Sequence, residues 1–331
     1  MKALIVGLGG IGRRHARNLK AIDGSARICA WRPQSADDGL GDLAPLVERV
    51  VRTADEALAW GPDLAVLATP ASMHVEAAVP LARAGIHLLV EKPLSDRLDA
   101  VDGLLALCEA RALVLMVGYN LRFAHSLARL RAALADGAIG RVLALRAEVG
   151  QFLPDWRQGR DYRRSASAQR ALGGGAVLEM SHELDYARWL LGEVTAVSAR
   201  TARLGDLDVD VEDAAEITLE FASGALGNIH VDMLDRARTR GCRVVGTEGT
   251  LVWDGVEHRT ELFTASTGTW SELYSGVGED RNAMYVAELE HFLGCVAAGR
   301  PAAITGADGK RVVEIALAAH RSAATRQVVS L

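Results

Sequence analysis

The sequence has little cysteine, no long apolar run and no strong excess of one charge, and each shortage excludes something. Four cysteines in 331 residues, at 29, 108, 242 and 295, stand far apart with no Cys-x-x-Cys pair. This argues against a disulfide framework and a thiolate zinc site, and the thiols read as reduced and mostly buried, as in a cytoplasmic protein. No apolar stretch approaches the ~20 residues needed to span a bilayer, so no membrane partner is expected. Met1-Lys2 is followed by a few apolar residues, then glycines and Arg13-Arg14, which reads as a first strand and not an export signal. A net charge of -5 gives no reason to expect nucleic acid. Internal repeats and low-complexity segments are also missing. What remains is a globular composition, 50% hydrophobic and 24% charged. The length suits two domains of ~100–200 residues each.

The opening segment has a mechanical reading. Ala3-Leu4-Ile5-Val6 is a short apolar strand, and Gly7-Leu8-Gly9-Gly10-Ile11-Gly12 follows it at the spacing of a tight strand-to-helix turn. In that turn Gly7 reverses the chain, Gly9 lets backbone approach a pyrophosphate, and Gly12 lets helix pack on strand. The helix from Ile11 to Lys20 then offers its N-terminal N–H groups and dipole to phosphate. Gly7, Gly9, Gly10, Ile11 and Gly12 are therefore candidate dinucleotide contacts. The acidic residue expected ~20 residues later, which would bind a ribose 2′-hydroxyl, is missing from Ala30-Trp31-Arg32-Pro33. Arg32 stands where a 2′-phosphate could be met, so NADP is favoured over NAD, although Arg32 could equally stack on adenine.

Up to about residue 118, short apolar strands (Ala3–Gly7, Arg27–Trp31, Val50-Val51, Leu64–Thr69, His87–Val90, Leu113–Val117) alternate with helical patterns, notably His74–Ala84 and Asp99–Arg111. Such alternation predicts a parallel sheet with helices on both faces and ligands beyond the carboxyl ends of its strands. After Gly118 the pattern changes. A helix at His125–Leu134 leads to an alternating strand, Arg141–Val149, and further strands are expected at Val194–Arg203, Ala214–Phe221, Ala225–Met233 and Cys242–Val245, with a hairpin across Val245–Leu251. Helices at Ala283–Ala298 and Gly309–Ala323 close the chain. The expected fold is α/β over residues 1–119 and α+β with an open, mostly antiparallel sheet over residues 120–331.

Two clusters carry the chemistry. Glu91-Lys92-Pro93 ends the run His87-Leu88-Leu89-Val90, putting a lysine at the carboxyl end of a strand. Pro93 restricts the Lys92 backbone to an extended conformation. The second cluster follows Gly173-Gly174-Gly175, glycines that would let a ligand come close. Read as one helix, Val177–Leu191 buries Met180, Leu184, Ala187 and Leu191 and turns Glu179, His182 and Tyr186 to another face. A histidine of ordinary pKa ~6.5 is the usual general acid or base near neutrality.

Taken in chain order, the glycine turn with Arg13-Arg14-His15, Ala68-Thr69-Pro70 with His74, Glu91-Lys92-Pro93, Gly118-Tyr119-Asn120-Leu121-Arg122-Phe123, and the triple glycine before Glu179 and His182 resemble the Gfo/Idh/MocA oxidoreductase family. The resemblance implies an N-terminal Rossmann domain and a C-terminal α+β domain whose open sheet often forms a homodimer or homotetramer interface. It also implies NAD(P)-dependent redox chemistry on sugars, polyols or related small molecules. On this reading Lys92 and His182 are catalytic, with Glu179 as a third candidate, and Thr69, Pro70, His74, Glu91, Lys92 and Asn120 line the cofactor or the adjoining pocket. One departure concerns Glu179. The family commonly has an aspartate four residues before the catalytic histidine, whereas Glu179 precedes His182 by three.

Substrate class turns on residues 151–172, where five arginines (157, 160, 163, 164, 170) face two aspartates, with Phe152, Trp156 and Tyr162 among them. Arginine pairs with carboxylate or phosphate, which points to an anionic or nucleotide sugar held by Trp156, Arg160 and Tyr162 with Lys92, Asn120, Glu179 and His182. A solvated lid or oligomer contact is the bland alternative. A dinucleotide-binding sensor without turnover, or a reductase of another carbonyl or imine, also stays open. No metal site is suggested, since the only ligand-like spacing, Glu179, His182 and Asp185, is explained by the family pattern without one.

Overall fold

A computed structural model describes residues 1–32, 39–157 and 159–331, so Pro33 and Gln158 lie outside the described residues. The chain divides into two compact units, Met1–Tyr119 with Tyr285–Arg311, and Asn120–Met284 with Val312–Leu331. The second domain expected over 120–331 differs from this division at 285–311, which belongs with the first unit.

In the first unit the order is β1 (Lys2–Val6), α1 (Gly10–Ile22), β2 (Arg27–Trp31), β3 (Arg49–Val51), α2 (Ala54–Trp60), β4 (Leu64–Leu67), α3 (His74–Arg83), β5 (His87–Glu91), α4 (Val101–Ala110) and β6 (Leu115–Gly118). The strands pair in the order β3-β2-β1-β4-β5-β6, parallel throughout. Strands covered on both faces must be apolar at every position, and Ala3–Val6, Leu64–Leu67 and Leu88–Val90 are all at most 2% exposed. Helix α2 is one of the helices expected between the strands, and its start is encoded locally. Thr53 Oγ1 accepts from Glu56 N at 3.2 Å while the Glu56 carboxylate accepts from Thr53 N at 3.3 Å, a capping box that ends at left-handed Gly61.

The second unit opens with α5 (His125–Ala135) and β7 (Val142–Gly150), followed by α6 (Ala176–Glu179), α7 (His182–Leu191), β8 (Val194–Ala202), β9 (Ala214–Phe221), β10 (Leu226–Asp232), β11 (Thr239–Gly246), β12 (Gly249–Asp254), β13 (Arg259–Thr264) and β14 (Thr269–Ser275). The chain closes with α8 (Ala283–Ala298), α9 (Gly306–Thr325) and β15 (Val329–Ser330). The sheet order is β14-β13-β12-β11-β7-β10-β9-β8-β15, antiparallel apart from the parallel pair β7 and β10. The α/β and open-sheet α+β expectation therefore holds, and the hairpin expected at Val245–Leu251 is the β11–β12 turn. Strands β13, β14 and β15 were not anticipated.

The helix expected over Val177–Leu191 is broken. Met180 (φ -100, ψ 29) ends α6 and Ser181 precedes α7, so Glu179 closes one helix and His182 opens the next. The helical wheel that placed Glu179, His182 and Tyr186 on one face does not apply.

Candidate active site

The glycine turn in the first unit behaves as its spacing requires. Gly7 takes φ +90, a left-handed value that glycine tolerates, and donates its N–H to Trp31 O at 2.9 Å. A Cβ at Gly12 would overlap Gly7 O, which locks α1 against the turn. At Gly9 and Gly10 an added Cβ would meet nothing within 4 Å. Both are exposed at the start of α1, so their backbone N–H groups lie open to an approaching phosphate, and the residues present suit a dinucleotide.

Beside this turn, Lys92 follows the last residue of β5, two strands from β1, and its peptide with Pro93 is cis. The surrounding groups hold this backbone. His74 is 1% exposed, with Nδ1 2.9 Å from Pro93 O and Nε2 2.8 Å from Thr69 O. A neutral ring donates to one of these carbonyls and an imidazolium to both. Burial pulls the His74 pKa below its ordinary 6.5 against the opposing pull of the carbonyls and Glu91. His74 therefore ties the loop after β4 to the end of β5, and neither ring nitrogen is turned outward. Thr69 and Pro70 are half-buried, and Thr69 Cγ2 would lie 3.2 Å from a Cβ at Gly7. Glu91 turns inward as well, with Oε1 2.6 Å from Nε2 of the fully buried His15 on α1. The Arg32 side chain lies against Gly39, where a Cβ would overlap its guanidinium.

In the second unit, Asn120 is 3% exposed at the start of a short 3₁₀ turn, Asn120–Phe123. The turn is fastened to α7 by a two-point ion pair: Arg122 Nε donates to Asp185 Oδ2 at 2.9 Å and Nη2 to Oδ1 at 2.6 Å. This pair takes Asp185 out of any ligand set with Glu179 and His182. His182, 9% exposed, is the first residue of α7, and Glu179 is half-buried. Tyr186 does not accompany them. It is fully buried and meets Trp253 edge-on at 5.5 Å, and burial pushes its phenol well above the ordinary 10.0.

The triple glycine is also corrected. A Cβ at Gly174 would overlap the carbonyl oxygens of Ala166 and Ser167, and one at Gly175 (φ +110) would overlap the Glu212 carboxylate. Gly174 N donates to Gln169 O at 3.0 Å and Gly175 N to Ser167 O at 3.1 Å. The close approach these glycines permit is made by the protein's own chain, not by a ligand.

The arginine-rich segment forms a pocket of about 290 Å³ whose walls include Trp156, Arg157, Arg160, Tyr162 and Arg164. Arg163 and Arg170 are already engaged, with Asp161 at 2.9 Å and with Asp210 O at 2.9 Å. Trp156 is oriented by donating Nε1–H to Gln151 O at 2.8 Å, and the Tyr162 hydroxyl accepts from Asp208 N at 3.0 Å. Arg157, Arg160 and Arg164 make no ion pair with a described residue, although Asp161 also lines the pocket.

Comparison with known proteins bears on this pattern directly. The family profile described as "Oxidoreductase family, NAD-binding Rossmann fold" matches residues 1–119, and the profile described as "GFO/IDH/MocA C-terminal domain" matches residues 127–252. The chain belongs to the Gfo/Idh/MocA family. It is similar to a myo-inositol 2-dehydrogenase of Thermotoga maritima, 30% identical over 347 residues and covering 100% of this chain and 98% of the relative. Among solved structures it is similar to GenD2 from gentamicin A biosynthesis in complex with NAD, at 31% identity and TM-score 0.82, covering 100% of this chain and 96% of that one. Levoglucosan dehydrogenase in complex with NADH superposes with TM-score 0.90 over 100% of this chain and 98% of its own, and at 23% identity that likeness concerns the fold. As a Gfo/Idh/MocA member the protein is an NAD-dependent oxidoreductase.

Two residues beside Glu91 are not among the site candidates expected from the sequence. His15 was only part of a motif, and Glu288 was not singled out. Both carried a signal: His15 lies with Ala16 and Leu19 on the buried stripe of α1, and Glu288 lies with Phe292 and Cys295 on that of α8. A titratable group within an apolar stripe is a residue to explain.

Proposed function

We propose that the protein moves hydride between NAD(H) and the carbinol carbon of a sugar, a cyclic polyol or a sugar derivative. The observation that carries this reading is Lys92 at the carboxyl end of β5, in the same parallel sheet as the glycine turn, where open α/β sheets bind their ligands. The relative named for myo-inositol supports the substrate class.

In the oxidative direction His182 takes the proton of the substrate hydroxyl, while Lys92 donates a hydrogen bond to the oxygen on which charge develops. Asn120 and Glu179 are the further substrate contacts in this reading. When bound, the oxidised dinucleotide supplies the hydride acceptor. General acid-base help of this kind contributes ~10²–10⁴ in rate.

NAD(H) is preferred over NADP(H). The related structure names NAD, and Arg32, the residue behind the expectation of NADP, is packed against Gly39. Three arginines without an ion-pair partner among the described residues, together with Trp156 and Tyr162, favour an anionic sugar or nucleotide sugar as the substrate. The free, buried state of all four cysteines supports a cytoplasmic location. No helix among the described residues is long and apolar enough to cross a membrane. A homodimer or homotetramer through the nine-stranded sheet completes the reading.

Titration of tryptophan fluorescence with NADH and NADPH, followed by a screen of neutral and anionic sugars, tests it. Lys92→Ala and His182→Ala should each lower kcat by ~10²-fold or more with dinucleotide affinity nearly unchanged. Near-normal turnover in either variant removes that residue from the chemistry. Tight NADH binding with no turnover of any sugar would return the protein to a sensor role.

A further inference from the structure

Glu288 is a carboxylic acid in the wrong surroundings. It is 1% exposed on α8, and neither side-chain oxygen has a hydrogen-bond partner among the described residues. Its neighbours are Glu91 from β5 and His15 from α1, and one ligand-type atom from each of the three residues lies within 4.8 Å of the others. Glu91 is already engaged, with Oε1 at 2.6 Å from His15 Nε2, and it directly precedes Lys92. Two bare carboxylates so close in a closed interior would repel with little screening, so one must be neutralised by a proton or a cation.

The geometry favours the proton. Two ligands on a tetrahedral ion at ~2.0–2.2 Å bonds sit more than 3 Å apart, so at 2.6 Å the His15 Nε2 and Glu91 Oε1 atoms are hydrogen-bonded to each other. Glu91 and His15 already satisfy each other, whereas neither oxygen of Glu288 has a partner, so the proton is placed on Glu288. Burial, followed by the charge of Glu91, pushes the Glu288 pKa well above its ordinary 4.5. Two basic residues close by in the chain are engaged elsewhere. Arg14 stacks on Tyr285, with its guanidinium carbon 4.1 Å from the ring centroid, and His291 on α8 accepts from Ala303 N at 2.9 Å.

We propose that Glu288 is a positioning residue for Lys92: as an uncharged acid it closes the pocket in which His15 holds Glu91, and so fixes the strand end from which the lysine leaves. The role assigned to Lys92 rests on the function proposed above, whereas the proton on Glu288 does not.

The full chain allows the two to be tested separately. The infrared difference spectrum of wild type minus Glu288→Gln at pH 8 should show the carbonyl stretch of a protonated carboxylic acid, shifted in D₂O. Its absence would overturn the proposal, as would a stoichiometric divalent metal in the wild type that the variant loses. Because a raised carboxyl pKa means the folded state holds a proton that the unfolded chain releases above pH 4.5, wild-type stability falls as pH rises past that value. Glu288→Gln should therefore gain in Tm relative to wild type as pH increases, and the opposite trend would count against a neutral acid. Glu288→Gln should keep kcat near wild type, and Glu288→Ala should lose on the order of tenfold to a hundredfold in kcat with the KM for NADH little changed. Wild-type kcat in Glu288→Ala would overturn the positioning role while leaving the infrared result to stand alone. Full activity in Lys92→Ala would instead overturn the reading of the site.

Discussion

Gly9 and Gly12 differ in what a methyl group would meet. At Gly12 a Cβ runs into Gly7 O; at Gly9 it meets nothing within 4 Å, and its φ of -68 suits alanine. Gly12→Ala should therefore destabilise the fold and weaken NADH binding together. Gly9→Ala should keep the wild-type Tm while losing about tenfold or more in NADH affinity, about 1.4 kcal/mol, because the added methyl occupies the path of the pyrophosphate. Thermal melts and NADH titration of the two variants separate a packing glycine from a ligand glycine. Unchanged NADH affinity in Gly9→Ala would mean that the turn does not receive the phosphates. The same contrast applies at Gly174 and Gly175. They have the look of a ligand approach in sequence, but the carbonyl oxygens of Ala166 and Ser167 and the Glu212 carboxylate already occupy the space beside them.

The break between α6 and α7 decides what the histidine helix presents. With His182 at its first position, α7 buries Leu184, Tyr186 and Ala187 in the unit core, and Asp185 reaches Arg122. This ion pair holds the Asn120–Phe123 turn at a fixed place on α7, one turn beyond His182. Its side chains are 7% and 1% exposed, so removing the arginine leaves a desolvated carboxylate without its counter-charge. Arg122→Met should cost about 3–5 kcal/mol, read from the urea denaturation midpoint, and Arg122→Met with Asp185→Leu should recover part of that loss. A loss below about 1 kcal/mol in the single variant would show that the pair is not what anchors the turn. Strand β7 was legible because its alternation is strict from Leu145 to Val149, whereas β13 and β14 are mostly half-buried or exposed and show no apolar alternation.

In the second unit, the nine-stranded sheet buries one face and leaves the other open. Leu145, Ala147, Ile217, Leu219, Ile229 and Val244 are buried, and the opposite parity carries Arg146, Glu148, Glu216, Asn228 and Arg243. Arg146 and Arg243 are register partners across β7 and β11, and Glu148 is the partner of His230 on β10. A self-association through this face would be polar, with charges of both signs meeting their counterparts on a second copy. Sedimentation equilibrium should show a dimer or tetramer, and Arg146→Glu should shift it toward monomer with rising salt sensitivity. A monomeric wild type at micromolar concentration would remove the assembly from the proposed function. The assignment of 285–311 to the first unit brings Glu288 beside His15, two groups that the chain order keeps far apart.

What the sequence alone determined was everything whose signal is local. The βα alternation of the first unit, the glycine turn, the lysine before Pro93 and the histidine after the glycines are each written within about ten residues, where hydrophobic period, turn chemistry and steric freedom act directly. Tertiary structure decided the partners of polar and small groups. Glu91 and His74 turned inward because His15, 76 residues from Glu91, and the Thr69 and Pro93 carbonyls were there to meet them. Tyr186 went into the core because a break at Met180–Ser181 reset the phase of the helix. The fate of a polar side chain depends on whether folding brings a donor, an acceptor or a charge to it, and that is a property of elements meeting across the chain rather than of any one segment.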